Sequence, residues 1–177
     1  DNEMSIFKSL ERPSSENYRY TKTHIYSFDY KENKNSVVIS LPFSFSTDAK
    51  RYLVKGEMTY EIFNDGSMKI SQKADVREDL ENYLPRYGFL FKLNHNYDTV
   101  NYLGLGPRES YIDRKYSEIY NEYNIAIDDL FFKYERPQES GSRFDTKWLK
   151  LKQDNIGIAL IGEGFSFNAS YYTVDNI

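Results

Sequence analysis

Groups that could do acid–base chemistry gather in two short stretches of this chain. Arg108, Glu109, Asp113 and Arg114 fall within Gly104-Leu105-Gly106-Pro107-Arg108-Glu109-Ser110-Tyr111-Ile112-Asp113-Arg114. Glu139, Arg143 and Asp145 fall within Arg136-Pro137-Gln138-Glu139-Ser140-Gly141-Ser142-Arg143-Phe144-Asp145. Paired carboxyl groups are the machinery of glycoside hydrolysis, and a retaining enzyme holds them about 5–5.5 Å apart, one protonated and one ionised. Glu109 with Glu139 is the pair this chain could offer. Each has arginine nearby in sequence, however, which favours an ionised carboxylate over a protonated acid. The same residue types also make loop braces. Gly104 and Gly106 supply permissive backbone at a strand exit, Pro107 stiffens the turn, and Arg–carboxylate pairs hold each loop in one shape. The two loops are expected to meet through crossed pairs of this kind, and no catalytic residue is expected.

Other chemistry is thin. There is no Cys, which excludes a thiolate nucleophile, a disulfide framework and a zinc ribbon. Only two histidines occur; His24 falls in an expected strand and His95 in an expected turn. The formal charge of −4 is not offset by a basic cluster, so a nucleic-acid backbone is not an expected partner. No apolar run is long enough to span a bilayer, no membrane partner is expected, and the expected location is cytoplasmic.

The elements that must position these loops read as strands. With 17 Tyr and 12 Phe the composition favours half-buried pleated surfaces, and abundant Tyr also suits interfaces and sugar-binding surfaces. Residues 1–20, with Pro13 between polar neighbours, read as an irregular lead-in. Period-two alternation predicts strands over Thr23–Tyr30 and Ser36–Phe45, with Pro42 marking an edge or an end. Tyr52–Phe63 and Ser67–Val76 flank Asn64-Asp65-Gly66, a hairpin signal. Strands are also expected over Tyr87–Leu93, Thr99–Leu103, Lys147–Lys152, Ile156–Ile161 and Phe165–Ala169. Between Gly104 and Gly141 loops are expected, with one or two helical turns over Tyr116–Tyr123. Trp148 falls within an expected strand, as core or interface filler. At least nine short strands in 177 residues point to a single all-β domain, an antiparallel sandwich or supersandwich.

The motifs are more specific than the pattern. The segment from Gly104 to Arg114 resembles the G-x-G-P-x-E-x-Y-x-D-R segment in the C-terminal, small-chain domain of family-two β-galactosidases. Leu84-Pro85-Arg86-Tyr87-Gly88 resembles its L-P-R-x-G segment. Pro137 to Asp145 is similar to its P-Q-E-N-G-x-R-x-D segment, with Ser140 in place of the Asn, and Phe165 to Tyr172 matches F-x-F-x-x-S-x-Y. The matches keep their order over roughly half the chain, while residues 1–83 match in strand pattern only.

The resemblance implies a galactose-mutarotase-like sandwich within a β-galactosidase, an enzyme that hydrolyses terminal non-reducing β-D-galactose residues of β-galactosides such as lactose. It places the catalytic carboxylates on a separate barrel domain, and any magnesium or sodium on other domains, so no cofactor or metal is expected in this chain. Its expected partners are that barrel domain or large subunit and the β-galactoside, with homo-oligomer formation also expected. The supporting residues that would face the pocket or interface are Arg86, Arg108, Glu109, Tyr111, Asp113, Arg114, Glu139, Arg143 and Asp145. An aromatic that reaches the sugar from a G-G-D-D-S-W-like loop in the family has no counterpart here, and the chain reads as a piece of the longer domain. Two other readings are a stand-alone carbohydrate-binding module and, through the mutarotase-like fold, an aldose-1-epimerase-like enzyme using histidine and a carboxylate.

Overall fold

A computed structural model of the chain describes residues 21–46, 51–78, 87–93, 97–136, 138–153 and 156–172. The described residues fall into two compact units, one within 7–88 and one within 89–177. The expected lead-in at 1–20 and the expected turn at 94–96 lie outside them.

The unit within 7–88 is one antiparallel sheet of β1 (Lys22–Ile25), β2 (Asp29–Glu32), β3 (Ser36–Ser46), β4 (Tyr52–Phe63) and β5 (Met68–Val76). Its order is β1-β3-β4-β5, with β2 also paired to β3. The strand expected over Thr23–Tyr30 is therefore broken in two, and Pro42 explains the break. Pro42 lies inside β3 rather than at its edge or end, opposite Glu57 of β4. On the other side its carbonyl accepts from the Tyr26 amide at 2.9 Å. A residue in an antiparallel strand points its N–H and C=O to the same side. Pro42 has no N–H to give there, and the covering strand is interrupted between Ile25, opposite Phe43, and Asp29, opposite Ser40.

The hairpin forms as expected. Phe63 N donates to Ser67 O at 2.9 Å and Gly66 N to Phe63 O at 3.0 Å. Gly66 sits at φ +84°, a conformation open to glycine without steric cost. Asp65 accepts from the Ser67 hydroxyl at 2.6 Å and the Ser67 amide at 2.8 Å, and these bonds hold its carboxyl below the usual carboxylate range. Phe43, Leu53 and Val54 form the buried cluster of this unit, with Phe45, Met58 and Ala74 packed against it.

The unit within 89–177 is a second antiparallel sheet, ordered β7-β6-β8-β9. Its strands are β6 (Thr99–Gly106), β7 (Ile119–Ala126), β8 (Arg143–Gln153) and β9 (Ile156–Phe167), with one helical turn, α1 (Ile127–Leu130). Several expectations are corrected here. Residues 87–93 are irregular rather than a strand. The helical turns expected over Tyr116–Tyr123 give way to a single turn, closed by Glu118 N donating to Lys115 O at 3.2 Å, and then β7. Tyr123 and Ile125 alternate onto the core, a period that Asn121, Glu122 and Asn124 hide in sequence. The two short strands expected after Asp154 are one, β9, with Gly164 at φ +103° within it.

Strand β6 alternates half-buried and buried residues along its whole length. Its buried side carries Val100 and Tyr102 into a core with Ile127, Leu130, Leu149 and Leu151. Burying each such aliphatic side chain contributes about 1.5–3 kcal/mol. Gly104 and Gly106 follow on the same side, at ordinary φ. Their role differs from the permissive backbone expected. A Cβ on Gly104 would stand 2.7 Å from Thr146 Oγ1, and one on Gly106 would strike the Tyr102 hydroxyl. Two antiparallel sheets and one helical turn among the described residues bear out the all-β expectation, and two sheets are the components a sandwich requires.

Candidate functional site

The site is built where the segment after β6 meets the entry to β8. Tyr102 packs its ring against Phe167 at 5.1 Å and Tyr123 at 5.4 Å between centroids. Its hydroxyl, at the end of that stack, accepts from Arg143 Nε at 3.2 Å. Arg143 is 2% exposed and donates also from Nη1 to the carbonyls of Gly141 and Ser142, at 3.0 and 3.3 Å, and from Nη2 to that of Pro107 at 2.8 Å. A buried charge persists only when its donors are satisfied. Here four neutral oxygens from three segments satisfy them, so Arg143 ties Pro107 to Gly141 and Ser142. Burial pushes the Tyr102 hydroxyl up, and the guanidinium opposes that shift.

Glu109 makes the second tie. It is 8% exposed. Oε1 accepts from Arg114 Nη1 at 2.9 Å and from the Tyr134 hydroxyl, while Oε2 accepts from the Gly141 amide at 3.1 Å. Gly141 reaches that position at φ +85°, and a Cβ there would stand 2.5 Å from the Leu130 carbonyl oxygen. Tyr134 also accepts from Arg114 at 3.1 Å. Burial first, then the bond to Glu109, pushes the Tyr134 phenol up. Arg114 is held more firmly charged, by Tyr134 first and Glu109 after it.

Two serines close the contact. Ser110 N donates to Ser142 O at 2.8 Å, and the Ser110 hydroxyl accepts from Phe144 N at 2.8 Å. Ser140, standing where the family motif has Asn, accepts at its hydroxyl from Phe132 N at 3.1 Å, and its carbonyl accepts from Asn168 Nδ2 at 2.6 Å. Among the described residues the buried Tyr111 hydroxyl has no hydrogen-bond partner. Burial foremost, then Glu109, pushes it up to about 12. The Ser142 backbone opposes that shift from outside hydrogen-bond geometry, so the hydroxyl counts as unpartnered.

The expected site residues thus divide. Glu109, Tyr111, Arg114 and Arg143 come together. Arg108 turns away to Glu118, with Nε 3.3 Å from Oε1 and its amide donating to Oε2 at 3.0 Å. Asp113 is exposed in the turn that Tyr111 and Arg114 close with reciprocal backbone bonds of 2.9 and 3.1 Å. Glu139 is exposed, and its charge reaches Tyr111. Asp145 lies within β8 at φ +54°, where the register with β9 shifts, and pairs with Lys147 at 3.6 Å. Arg86 lies outside the described residues.

The loops meet as expected but by a different route. Among the described residues, side chain to backbone bonds and the Ser110–Ser142 backbone bond join them, rather than crossed Arg–carboxylate pairs. Tyr102, Ser110, Tyr134 and Glu118 escaped the sequence reading. Tyr134 carried no motif, and the one signal for Glu118, two residues past Tyr116, was a lone acid in polar sequence. His24 is exposed on β1 with its ring 4.7 Å from that of Tyr26, and His95 lies outside the described residues. Among the described residues no three of His, Asp and Glu are placed to hold a metal ion, and no helix is long and apolar enough to cross a membrane.

What the fold and site define is an all-β domain in which carboxylate, guanidinium and phenol groups fasten two motif-bearing segments to each other. The family model for the beta galactosidase small chain matches residues 1–177, and the chain belongs to that family. The match includes the first half, where motifs were silent. Among the relatives is the beta-galactosidase of Actinobacillus pleuropneumoniae, 29% identical over 95% of this chain and 16% of its own length. That of Lactococcus lactis subsp. lactis is 30% identical over 95% of this chain and 16% of its own length. That of Lactobacillus delbrueckii subsp. bulgaricus is 32% identical over 86% of this chain and 14% of its own length. The chain thus spans about one sixth of the length of the first two relatives.

Proposed function

We propose that the chain is the part of a β-galactosidase that supports the active site and its assembly, while the cleavage step belongs to carboxylates elsewhere in the enzyme. The parent enzyme hydrolyses terminal non-reducing β-D-galactose residues of β-galactosides such as lactose. Its catalytic barrel domain or large subunit is the partner, the β-galactoside is the ligand, any cation sits on other domains, and the enzyme is cytoplasmic. Glu109 carries this proposal. Both of its oxygens accept from the protein's own groups, Arg114 and Tyr134 on one and the Gly141 amide on the other, which leaves it a brace rather than a proton donor to sugar. Arg114, with its side chain 64% exposed, and the neighbouring turn at Asp113 are the parts of the brace turned outward toward the barrel.

The test is a galactoside-hydrolysis assay on the chain alone and after mixing with a β-galactosidase large fragment that lacks this domain. The expected result is no hydrolysis alone and hydrolysis on mixing. Hydrolysis by the chain alone would overturn the proposal.

A further inference from the structure

Strand β5 ends its sheet, and among the described residues it pairs on one side only, with β4. An open edge carries unpaired backbone donors and acceptors and is blunted by charge when nothing is meant to pair there. The residues of β5 are Met68, Lys69, Ile70, Ser71, Gln72, Lys73, Ala74, Asp75 and Val76. Alternation puts Met68, Ile70, Gln72, Ala74 and Val76 on one face, and Lys69, Ser71, Lys73 and Asp75 on the other. Met68 and Val76, at the two ends of the apolar row, are 51% and 48% exposed.

We propose that β5 pairs antiparallel with β5 of a second copy of this chain, about a two-fold axis through Gln72, joining two sheets into one. A two-fold perpendicular to the sheet preserves faces, so each residue meets one of the same parity. Centred on Gln72, Met68 faces Val76 of the second copy, Ile70 faces Ala74, and Lys69 faces Asp75. Symmetry makes every one of these contacts twice.

Two neighbouring registers fail on charge and a third on length. A centre at Ser71 sets Lys69 against Lys73. A centre at Lys73 sets that residue against itself and Lys69 against Arg77. A centre at Ala74 sets Lys73 against Asp75 but leaves Met68, Lys69, Ile70 and Ser71 of β5 unpaired. The register through Gln72 engages the whole of β5, extends the apolar row across the junction and opposes unlike charges. The lysines therefore reject the slips to Ser71 and Lys73, and the shorter pairing disfavours the slip to Ala74.

The test uses the full chain, which has no cysteine of its own. Directly opposed residues in an antiparallel pair have Cα atoms about 4.5–5.5 Å apart, within disulfide reach. Gln72→Cys is expected to give a disulfide-linked dimer on mild oxidation, whereas Lys69→Cys, which faces Asp75, is expected to form no disulfide link under the same conditions. In sedimentation equilibrium, Lys69→Glu and Asp75→Lys are each expected to weaken the dimer about tenfold, since two attractive cross-strand pairs become repulsive. The double variant is expected to restore it. No dimer of the unsubstituted chain, cross-linking at Lys69→Cys equal to that at Gln72→Cys, or failure of the double variant to recover would each overturn the pairing.

Discussion

Arg143 fastens more of the site than any other single side chain. Replacing it with Met keeps most of the volume but strands the Tyr102 hydroxyl and the carbonyls of Pro107, Gly141 and Ser142. Unpaired buried groups of this kind cost about 1–3 kcal/mol each, softened by relaxation and water entry. Arg143→Met is expected to lose roughly 3 kcal/mol, read from the urea midpoint at unchanged slope. Arg143→Lys is not expected to recover it, because an ammonium lacks the planar fork that spans these acceptors. Tyr111 predicts the opposite. Its hydroxyl is buried without a partner, so Tyr111→Phe is expected to leave stability unchanged or raise it by up to about 1 kcal/mol. The difference grows in alkali. The folded phenol loses its proton near 12 rather than 10, so the unfolded chain ionises first. The stability present below pH 10 then falls as pH rises through 12. In denaturant titrations across that window, Tyr111→Phe is expected to lose less than the native chain. The charged residues of this site were visible in sequence because their spacing is fixed. Tyr102, Ser110 and Tyr134 were not, since a hydroxyl becomes part of a brace only when the fold carries it there.

Among the elements, the hairpin of β4 and β5 was legible because the turn chemistry is local: Asp65 and Gly66 define it within a few residues. The break between β1 and β2 was not, because its cause, Pro42, lies on the neighbouring strand. The same holds for β7, whose alternation is diluted by Asn121, Glu122 and Asn124 and whose strand state is fixed by its pairing with β6. The crossing of the two motif segments depends on one backbone position. Gly141 combines φ +85° with a Cβ direction that points at the Leu130 carbonyl. Gly141→Ala is therefore expected to cost about 1–2 kcal/mol for the left-handed conformation alone, with more from the contact, measured as a fall in thermal midpoint. The same substitution at Gly88, where a Cβ would meet nothing within 4 Å among the described residues, is the control and is expected to change little.

For the whole molecule, the family was legible from loops rather than strands. Strand sequences tolerate exchange among Val, Ile, Tyr and Phe, whereas a buried Arg and a two-sided Glu tolerate almost none, so the motif signal gathered at the site. Residues 1–83 matched the family in strand pattern only, although the family match runs through them. The central claim is that these carboxylates hold the domain's shape and take no part in bond cleavage. It is tested most directly by kcat for β-galactoside hydrolysis in the intact enzyme carrying Glu109→Gln or Glu139→Gln. Gln keeps the shape and an acceptor oxygen but cannot act as nucleophile or acid, and losing a catalytic carboxylate costs on the order of 10³-fold or more. The account predicts kcat within about tenfold of the native enzyme for both variants, with a lowered unfolding midpoint for Glu109→Gln. A loss of kcat on the order of 10³-fold in either variant, with the fold intact, would contradict it.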